Sequence, residues 1–449
     1  MDYAQRRVHL HEEGSDVSKP NSTLNRRSFL KAGAAAMAAP LVLPTGVLAK
    51  PGRPGANDRI VIGHIGVGGQ GRSHVNMFKD NRDARIAALC DVDENHRNMA
   101  AEIVNDERVK LYGDFRRVLD RNDIDAVVIA APDHWHGVIA TWACEAGKDV
   151  YCEKPNSKTI AEGHAMLRAA RRYSRVVQIG SQGRSTVGGH ATATYVRNGQ
   201  IGNVRKVTCW HENNWTPGGD PTKFGSPPPT LDWDMWLGPA RWIPYNPDYV
   251  HFNFRWMMDF GAGFIRDRGA HVFSVVQWAL DLDRTYPRRV SAGGDPPVDG
   301  LWDVGPTFWA KFEYENRDLE ITWDQPGVAA ADHKFGAVFE GDNDTLIMRG
   351  GDGGCYAEEK AMAYEPPGDG VHLPKSPGHQ QDWLNCIKTR ERPIMDIEAG
   401  HRVAVLCILA EISARLGRPL TLDPDTETIV GDEQANRLLT RPGRGIWNV

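Results

Sequence analysis

A short apolar run, Arg59-Ile-Val-Ile-Gly-His-Ile65, leads straight into Gly66-Val67-Gly68-Gly69-Gln70-Gly71. A GxGxxG turn between a strand and a helix-compatible stretch, here Gly71–Lys79, opens a βαβ unit. Such a unit requires a parallel sheet with helices on both faces. Gly66 permits the tight turn, Gly68 lets the backbone approach a pyrophosphate, and Gly71 allows close helix–strand packing. Gly69 and Gln70 complete a loop whose phosphate partner meets the positive end of the helix. About 20 residues on, Asp91 ends the second strand, where a carboxylate can hold both ribose hydroxyls. That placement favours NAD, because a 2′-phosphate would be repelled; Arg72 and Arg97 leave NADP open. A glycine-rich turn without a nucleotide is the alternative, and strand, helix and acid in register weigh against it.

The periodicity divides the chain. From Asp58 to Gly180, strand patterns (Ile60–Ile65, Ile86–Leu89, Ala126–Ala130, Asp149–Cys152, Val176–Ile179) alternate with helical ones such as Ile139–Ala146 and Ile160–Arg172. Residues 58–180 therefore read as a Rossmann domain, an α/β doubly wound parallel sheet. Residues 181–449 have another texture. A helix over His190–Asn198 and a strand over Val204–Trp210 precede Pro/Gly/Trp-rich loops over Thr216–Pro247. One helix is expected over residues 263–280. Five strand patterns follow: Arg289–Ala292, Thr307–Tyr314, Leu319–Trp323, Phe335–Glu340 and Leu346–Met348. Helices over Gln380–Ile387 and Ala399–Leu416 close an α+β domain with an open, largely antiparallel sheet.

The N-terminus stands apart. Asn25-Arg26-Arg27-Ser28-Phe29-Leu30-Lys31 precedes an Ala-rich apolar run ending in Val47-Leu48-Ala49. This resembles a twin-arginine export signal over residues 1–49, followed by a turn-rich linker over 50–57. Pro40 and Pro44 make the run a poor spanning helix, and no later run is long enough to cross a bilayer. The mature protein is thus expected in the periplasm, free of the membrane. Its 53 basic and 58 acidic residues nearly balance, and no basic stripe points to nucleic acid. The 7 cysteines are scattered without a CxxC pair, which argues against a disulfide scaffold.

Two clusters carry chemistry. Asp267-Arg-Gly-Ala-His271 opens an apolar helical pattern, placing a carboxylate and an imidazole at i and i+4 on one face. There a proton can be handled beside a hydride, as alcohol oxidation requires. Trp210, His211, Asn213 and Trp215, with Asn214, end a strand of the second domain. Aromatic faces beside amides suit a carbohydrate, and a Trp-rich core or oligomer interface is the equal alternative. His134-Trp135-His136 contains an HxH pair, but further ligands at metal spacing are missing, so no metal is assigned. Sitting just past a strand with Pro132, these residues are expected to line the nicotinamide pocket.

Val127-Val-Ile-Ala-Ala-Pro-Asp-His-Trp-His136, then Ala146-Gly-Lys-Asp-Val-Tyr-Cys-Glu153-Lys154-Pro155, resemble the Gfo/Idh/MocA oxidoreductases. The segments Leu231–Pro239 and Gly431–Leu439 extend the resemblance over essentially all the chain after the signal. It implies that Lys154 contacts cofactor and substrate and that Asp267 and His271 complete the site, with Glu153 beside the cofactor. It departs at Ser274, where the family has an acid three residues past the histidine. By the resemblance, the chain is an NAD(H)-dependent oxidoreductase acting on a sugar, glycoside or cyclitol hydroxyl. The other readings are a redox-neutral NAD-dependent glycosidase, whose branch tends to lack the lysine, and a non-catalytic sugar-binding protein. Export of a folded protein implies a cofactor held too tightly to exchange. The open sheet implies a homo-oligomer, a dimer or tetramer.

Overall fold

The computed structural model describes residues 58–327, 333–351 and 354–449, so the signal and linker assigned to residues 1–57 lie outside the described residues. The first layer alternates strands and helices: β1 (Ile60–Ile65), α1 (Gly69–Lys79), β2 (Ala84–Cys90), α2 (Glu94–Val104), β3 (Lys110–Tyr112), β4 (Ala126–Ile129), α3 (Asp133–Glu145), β5 (Asp149–Cys152), α4 (Ile160–Arg172) and β6 (Val177–Ile179). The strand order is β3-β2-β1-β4-β5-β6, every pairing parallel. β4 and β5 are buried throughout, because helices cover both faces. The order reverses between β1 and β4, and ligands of such sheets bind outside the strand C-termini at that point.

Capping chemistry sets the helix starts. Thr159 accepts the Glu162 amide at 3.2 Å, and the Glu162 carboxylate accepts the Lys158 amide at 2.9 Å, so two orphan donors at the start of α4 are satisfied. Two details differ from the sequence reading. β3 is a largely exposed edge strand without apolar alternation, so no pattern announced it. α3 begins at Asp133 rather than Ile139. His134 and His136 break the apolar period yet are buried, with tertiary partners at His134 Nε2 and at the His136 ring.

The second layer contains α5 (Val187–Arg197), β7 (Val204–His211), α6 (Gly269–Ala279), β8 (Arg289–Gly293), β9 (Phe308–Tyr314), β10 (Leu319–Gln325), β11 (Phe335–Gly341), β12 (Thr345–Gly351), β13 (Gly354–Ala357), α7 (His379–Thr389), α8 (Ile397–Leu416), β14 (Leu420–Asp423) and β15 (Thr428–Ile429). The strands run β13-β12-β11-β7-β10-β9-β8-β14-β15, and β7 with β10 is the parallel pair in a sheet whose other pairings are antiparallel. β10 alternates buried and half-buried positions, as a one-sided sheet should. Its buried face meets α6, where Phe273 packs on Phe312 and Trp323 with ring centroids 5.4 and 5.6 Å apart. α8 is buried nearly all round because it packs on both α4 and β8. This locks the two layers together and holds the N-terminus of α6 over the first sheet.

The Trp-rich segment is more ordered than loops. Asp232 caps a short helix, Trp233–Leu237, and Trp233 stacks on Trp236 at 4.8 Å. Its chain is tied back to the first layer by Glu94 N to Thr230 O (2.9 Å) and Asp232 N to Val92 O (3.1 Å). Among the described residues, no helix is long and apolar enough to cross a membrane.

Candidate active site

The C-terminal ends of β1, β2, β4 and β5 face the start of α6 across a cleft of about 970 Å³. At one end lies the glycine turn. Gly66 has φ +80°, and a Cβ there would sit 2.4 Å from the Ala131 amide nitrogen. A Cβ on Gly71 would sit 2.0 Å from the Gly66 carbonyl oxygen, so the turn closes only with both glycines. Gly69 faces open space instead. The first turn of α1 has no side-chain cap and no acidic residue, so its amides remain available to an anion. A pyrophosphate fits this cradle on steric and electrostatic grounds.

Asp91 is fixed beside the turn. Its carboxylate accepts the Val67 amide at 2.8 Å and the Asp93 amide at 3.0 Å, with His96 Nδ1 3.4 Å away. Arg97 is committed to the Asp91 carbonyl at 2.6 Å. Asp91 thus shapes the loop, beyond the ribose contact expected from sequence.

Pro132, Asp133 and His136 follow β4 and line the cleft. His136 lines the cleft, where the sequence reading expects it beside the nicotinamide. Its Nδ1 faces the Pro155 carbonyl at 2.7 Å and its Nε2 the Ala131 carbonyl at 2.8 Å. With both nitrogens taken, the ring braces two cleft loops against each other. His134 is fully buried against the Trp236 carbonyl at 2.9 Å.

At the other end, Glu153 and Lys154 follow β5. Glu153 is buried and receives His74 Nε2 at 2.9 Å, Gln182 Nε2 at 3.1 Å and Gln70 Nε2 at 3.5 Å. Burial alone would raise its pKa, but the His74 hydrogen bond, then the His74 and Lys154 charges, hold it down at about 2. Lys154 Nζ meets Asp267 Oδ1 at 2.5 Å. Asp267 is buried too, which pushes its pKa up. Lys154, Arg255 and Arg268 outweigh that and hold its carboxyl below the usual range.

The expected single helix over residues 263–280 is broken. Phe264–Asp267 and Gly269–Ala279 are separate turns joined at Arg268. Asp267 points its carboxylate at Lys154, and no hydrogen bond joins it to His271. The i, i+4 spacing suggested that pairing, but an ammonium in a dry site attracts a carboxylate more strongly than a neutral imidazole does. His271 lines the same cleft, and burial, then the Lys154 and Arg268 charges, lowers its pKa to about 3. Ser274 turns its hydroxyl back to the His271 carbonyl at 2.7 Å, so it offers the cleft no acid.

Of the four residues expected to meet a carbohydrate, Trp210 and His211 are buried, and Asn213 and Trp215 are exposed outside the cleft lining. Trp210 is a core side chain, and His211 is buried among Phe264, Trp323 and Phe335. Asn213 is exposed. Trp215 is exposed and stacks on Phe252 at 5.7 Å. β7 ends pointing into the packed interface with α6, so the Trp-rich core won. Missed by sequence were Gln182, Arg255, Arg268 and His379, all in the lining. Gln182 follows β6, and the rule that strand C-termini line the cleft would have found it. Arg255, in a 3-10 turn over Asn253–Trp256, and His379, at the start of α7, arrive from segments distant along the chain and carry no local signal.

Four buried imidazoles and the half-buried His271 make stability depend on pH. Burial is the largest cause lowering the pKa of His64, His134 and His271 to about 3, and of His211 and His379 to about 4. Below about pH 6.5 the unfolded chain binds protons that the native chain refuses. This contribution is therefore complete above that pH and is lost as pH falls towards the folded values. The melting temperature should drop steadily from pH 6.5 to 4. His64 has both ring nitrogens buried without partners. His64→Leu should therefore flatten the slope by one proton, about 1.4 kcal/mol per pH unit. An unchanged slope in that variant would refute the assignment.

Comparison with known proteins places this geometry. A family model described as "Oxidoreductase family, NAD-binding Rossmann fold" matches residues 60–181, and "Oxidoreductase family, C-terminal alpha/beta domain" matches residues 203–449. A twin-arginine translocation signal matches residues 23–42. An inositol 2-dehydrogenase of Saccharopolyspora erythraea is 32% identical over 154 residues, 34% of this chain and 45% of that one. An alpha-N-acetylgalactosaminidase of Shewanella oneidensis is 30% identical over 174 residues, 34% of this chain and 38% of that one. The chain thus spans less than half the length of these curated relatives. The WlbA dehydrogenase of Bordetella pertussis, solved with NADH and UDP-GlcNAcA, has TM-score 0.60 at 17% identity, covering 81% of this chain and 99% of that one.

Proposed function

This chain belongs to the Gfo/Idh/MocA oxidoreductase family, and from that premise we propose that it oxidises a hydroxyl of a sugar, glycoside or cyclitol. NAD is its cofactor, and in the bound state it supplies the hydride acceptor. Gly66, Gly68, Gly69, Gln70, Gly71 and Asp91 would hold its adenosine and phosphate half, and Pro132, Glu153 and Lys154 would border the nicotinamide half. The observation that carries the reading is Lys154 Nζ on Asp267 Oδ1 at 2.5 Å, with His271 in the same cleft.

The division of labour follows from charge. Asp267 keeps the Lys154 ammonium aimed into the cleft. Lys154 donates to the reacting oxygen and stabilises alkoxide charge as it develops. His271, kept in its neutral form by burial and by the Lys154 and Arg268 charges, is the group assigned to accept the hydroxyl proton. Glu153, held ionised by His74, fixes the Lys154 backbone through a 3.1 Å hydrogen bond from its amide.

The twin-arginine signal supports export, and the proposed compartment is the periplasm. Free nicotinamide cofactor should be scarce there, so we assign NAD as a resident group, loaded before export. The outer face of the nine-stranded sheet is proposed to pair with a second copy of the chain. The similarity to a glycosidase keeps a redox-neutral outcome in view. One experiment separates them. Purified protein is denatured and released nucleotide identified by mass, then intact protein is incubated with sugars and p-nitrophenyl glycosides. Bound NAD with keto-sugar formation is expected. Phenolate release without a keto product would mean hydrolysis, and absence of both would end the enzymatic proposal.

A further inference from the structure

The reacting corner carries more positive charge than it uses. Three cations, Lys154, Arg255 and Arg268, surround one carboxylate, Asp267. Lys154 takes the close contact at 2.5 Å, while Arg255 Nε and Arg268 Nε each stand 3.5 Å from Asp267. Neither Nε finds a hydrogen-bond acceptor among the described residues. The single hydrogen bond made there by either guanidinium runs from Arg255 Nη1 to the Phe252 carbonyl, at 3.0 Å.

Both guanidiniums are nevertheless held in place. Arg255 stacks over Phe252 at 4.1 Å and Phe254 at 4.7 Å, and Arg268 lies over Phe335 at 5.7 Å. These rings orient the planar groups without consuming their N–H donors. Both arginines and all three rings line the cleft beside Lys154 and His271. Other carboxylates nearby do not balance the charge. Glu153 accepts His74 and Gln182 and its charge acts on Lys154, and among the described residues neither it nor Asp133, whose pKa burial raises, forms an ion pair with Arg255 or Arg268.

We propose that Arg255 and Arg268 form an anion subsite next to the reacting carbon, so that the substrate is an acidic sugar carrying a carboxylate or another anionic oxygen group. A guanidinium presents five donors in a fixed fork that matches a carboxylate in two-point contact. The substrate's charge would complete the corner and leave Asp267 to Lys154. The proposal deepens the oxidoreductase reading and rests on it.

The test uses NAD-loaded protein and matched pairs: glucuronate with glucose, galacturonate with galactose, and glucose 6-phosphate as the phosphate arm. Binding is read by calorimetry and oxidation by keto-product mass. The acidic member of at least one pair should bind about 10- to 100-fold more tightly than its neutral partner. Arg268→Gln should remove that preference without changing NAD content, and Arg268→Lys should restore part of it. Preference for glucose 6-phosphate alone would support the subsite and assign it to phosphate. Equal binding of neutral and acidic sugars, binding of none of the acidic ones, or a preference that survives Arg268→Gln together with Arg255→Gln would overturn it. Oxidation of neutral sugars alone would sink the anion subsite while leaving the oxidoreductase intact. Loss of NAD in either variant would reassign that arginine to the cofactor.

Discussion

Lys154→Met should lower turnover by about 10³-fold while NAD content stays at the wild-type level. The ammonium is the donor closest to Asp267 in the cleft, at 2.5 Å, whereas the Arg255 and Arg268 guanidiniums stand 3.5 Å away and are assigned to the substrate's anionic group. The loss should fall on kcat more than on KM, because the contact strengthens only as charge develops. Folding should survive, since Asp267 keeps Arg255 and Arg268 at 3.5 Å as counter-charges. Asp267→Asn tests the same assembly from the other side and should cost less, because it loosens the ammonium without removing it. Full activity in Lys154→Met would exclude this lysine from the chemistry.

Gly66→Ala should abolish NAD retention and destabilise the chain by roughly 3 kcal/mol or more. Two causes add. A φ of +80° is strained for alanine, and its Cβ would press on the Ala131 amide at 2.4 Å and the Ala130 carbonyl carbon at 2.6 Å. Neither neighbour can yield, since both are backbone at the end of β4. Gly69→Ala gives the contrasting case. Its Cβ meets nothing within 4 Å, so the melting temperature should hold. NAD content should fall nonetheless if phosphates rest on that turn. Calorimetric melting and nucleotide released on denaturation read both outcomes; equal behaviour of the two variants would contradict the cradle.

Much of the first layer was legible because its signals are local. β1 and β5 span the same residues as their strand patterns, since a strand buried on both faces is mostly apolar, with His64 and Asp149 the polar exceptions. The glycine turn was legible because φ and close approach are properties of single residues. β3 was not, being a short exposed edge, and neither was the early start of α3, where buried histidines depend on the distant Trp236 and Pro155 carbonyls. Trp210 and His211 show the opposite failure. Their residue types suited a sugar, but the direction of β7 committed them to the core.

Sequence alone determined that a strand, a glycine turn and a helix would make a dinucleotide cradle, since these rest on backbone sterics and short-range periodicity. It also supplied Lys154, Asp267 and His271 as the proposed reacting groups, through resemblance. Only the tertiary structure decided their pairing, bringing Lys154 from the end of β5 to 2.5 Å from Asp267. It alone brought Arg255 and Arg268 to the same carboxylate. Electrostatic partners are chosen by distance in a dry cleft, and no spacing along the chain encodes that distance.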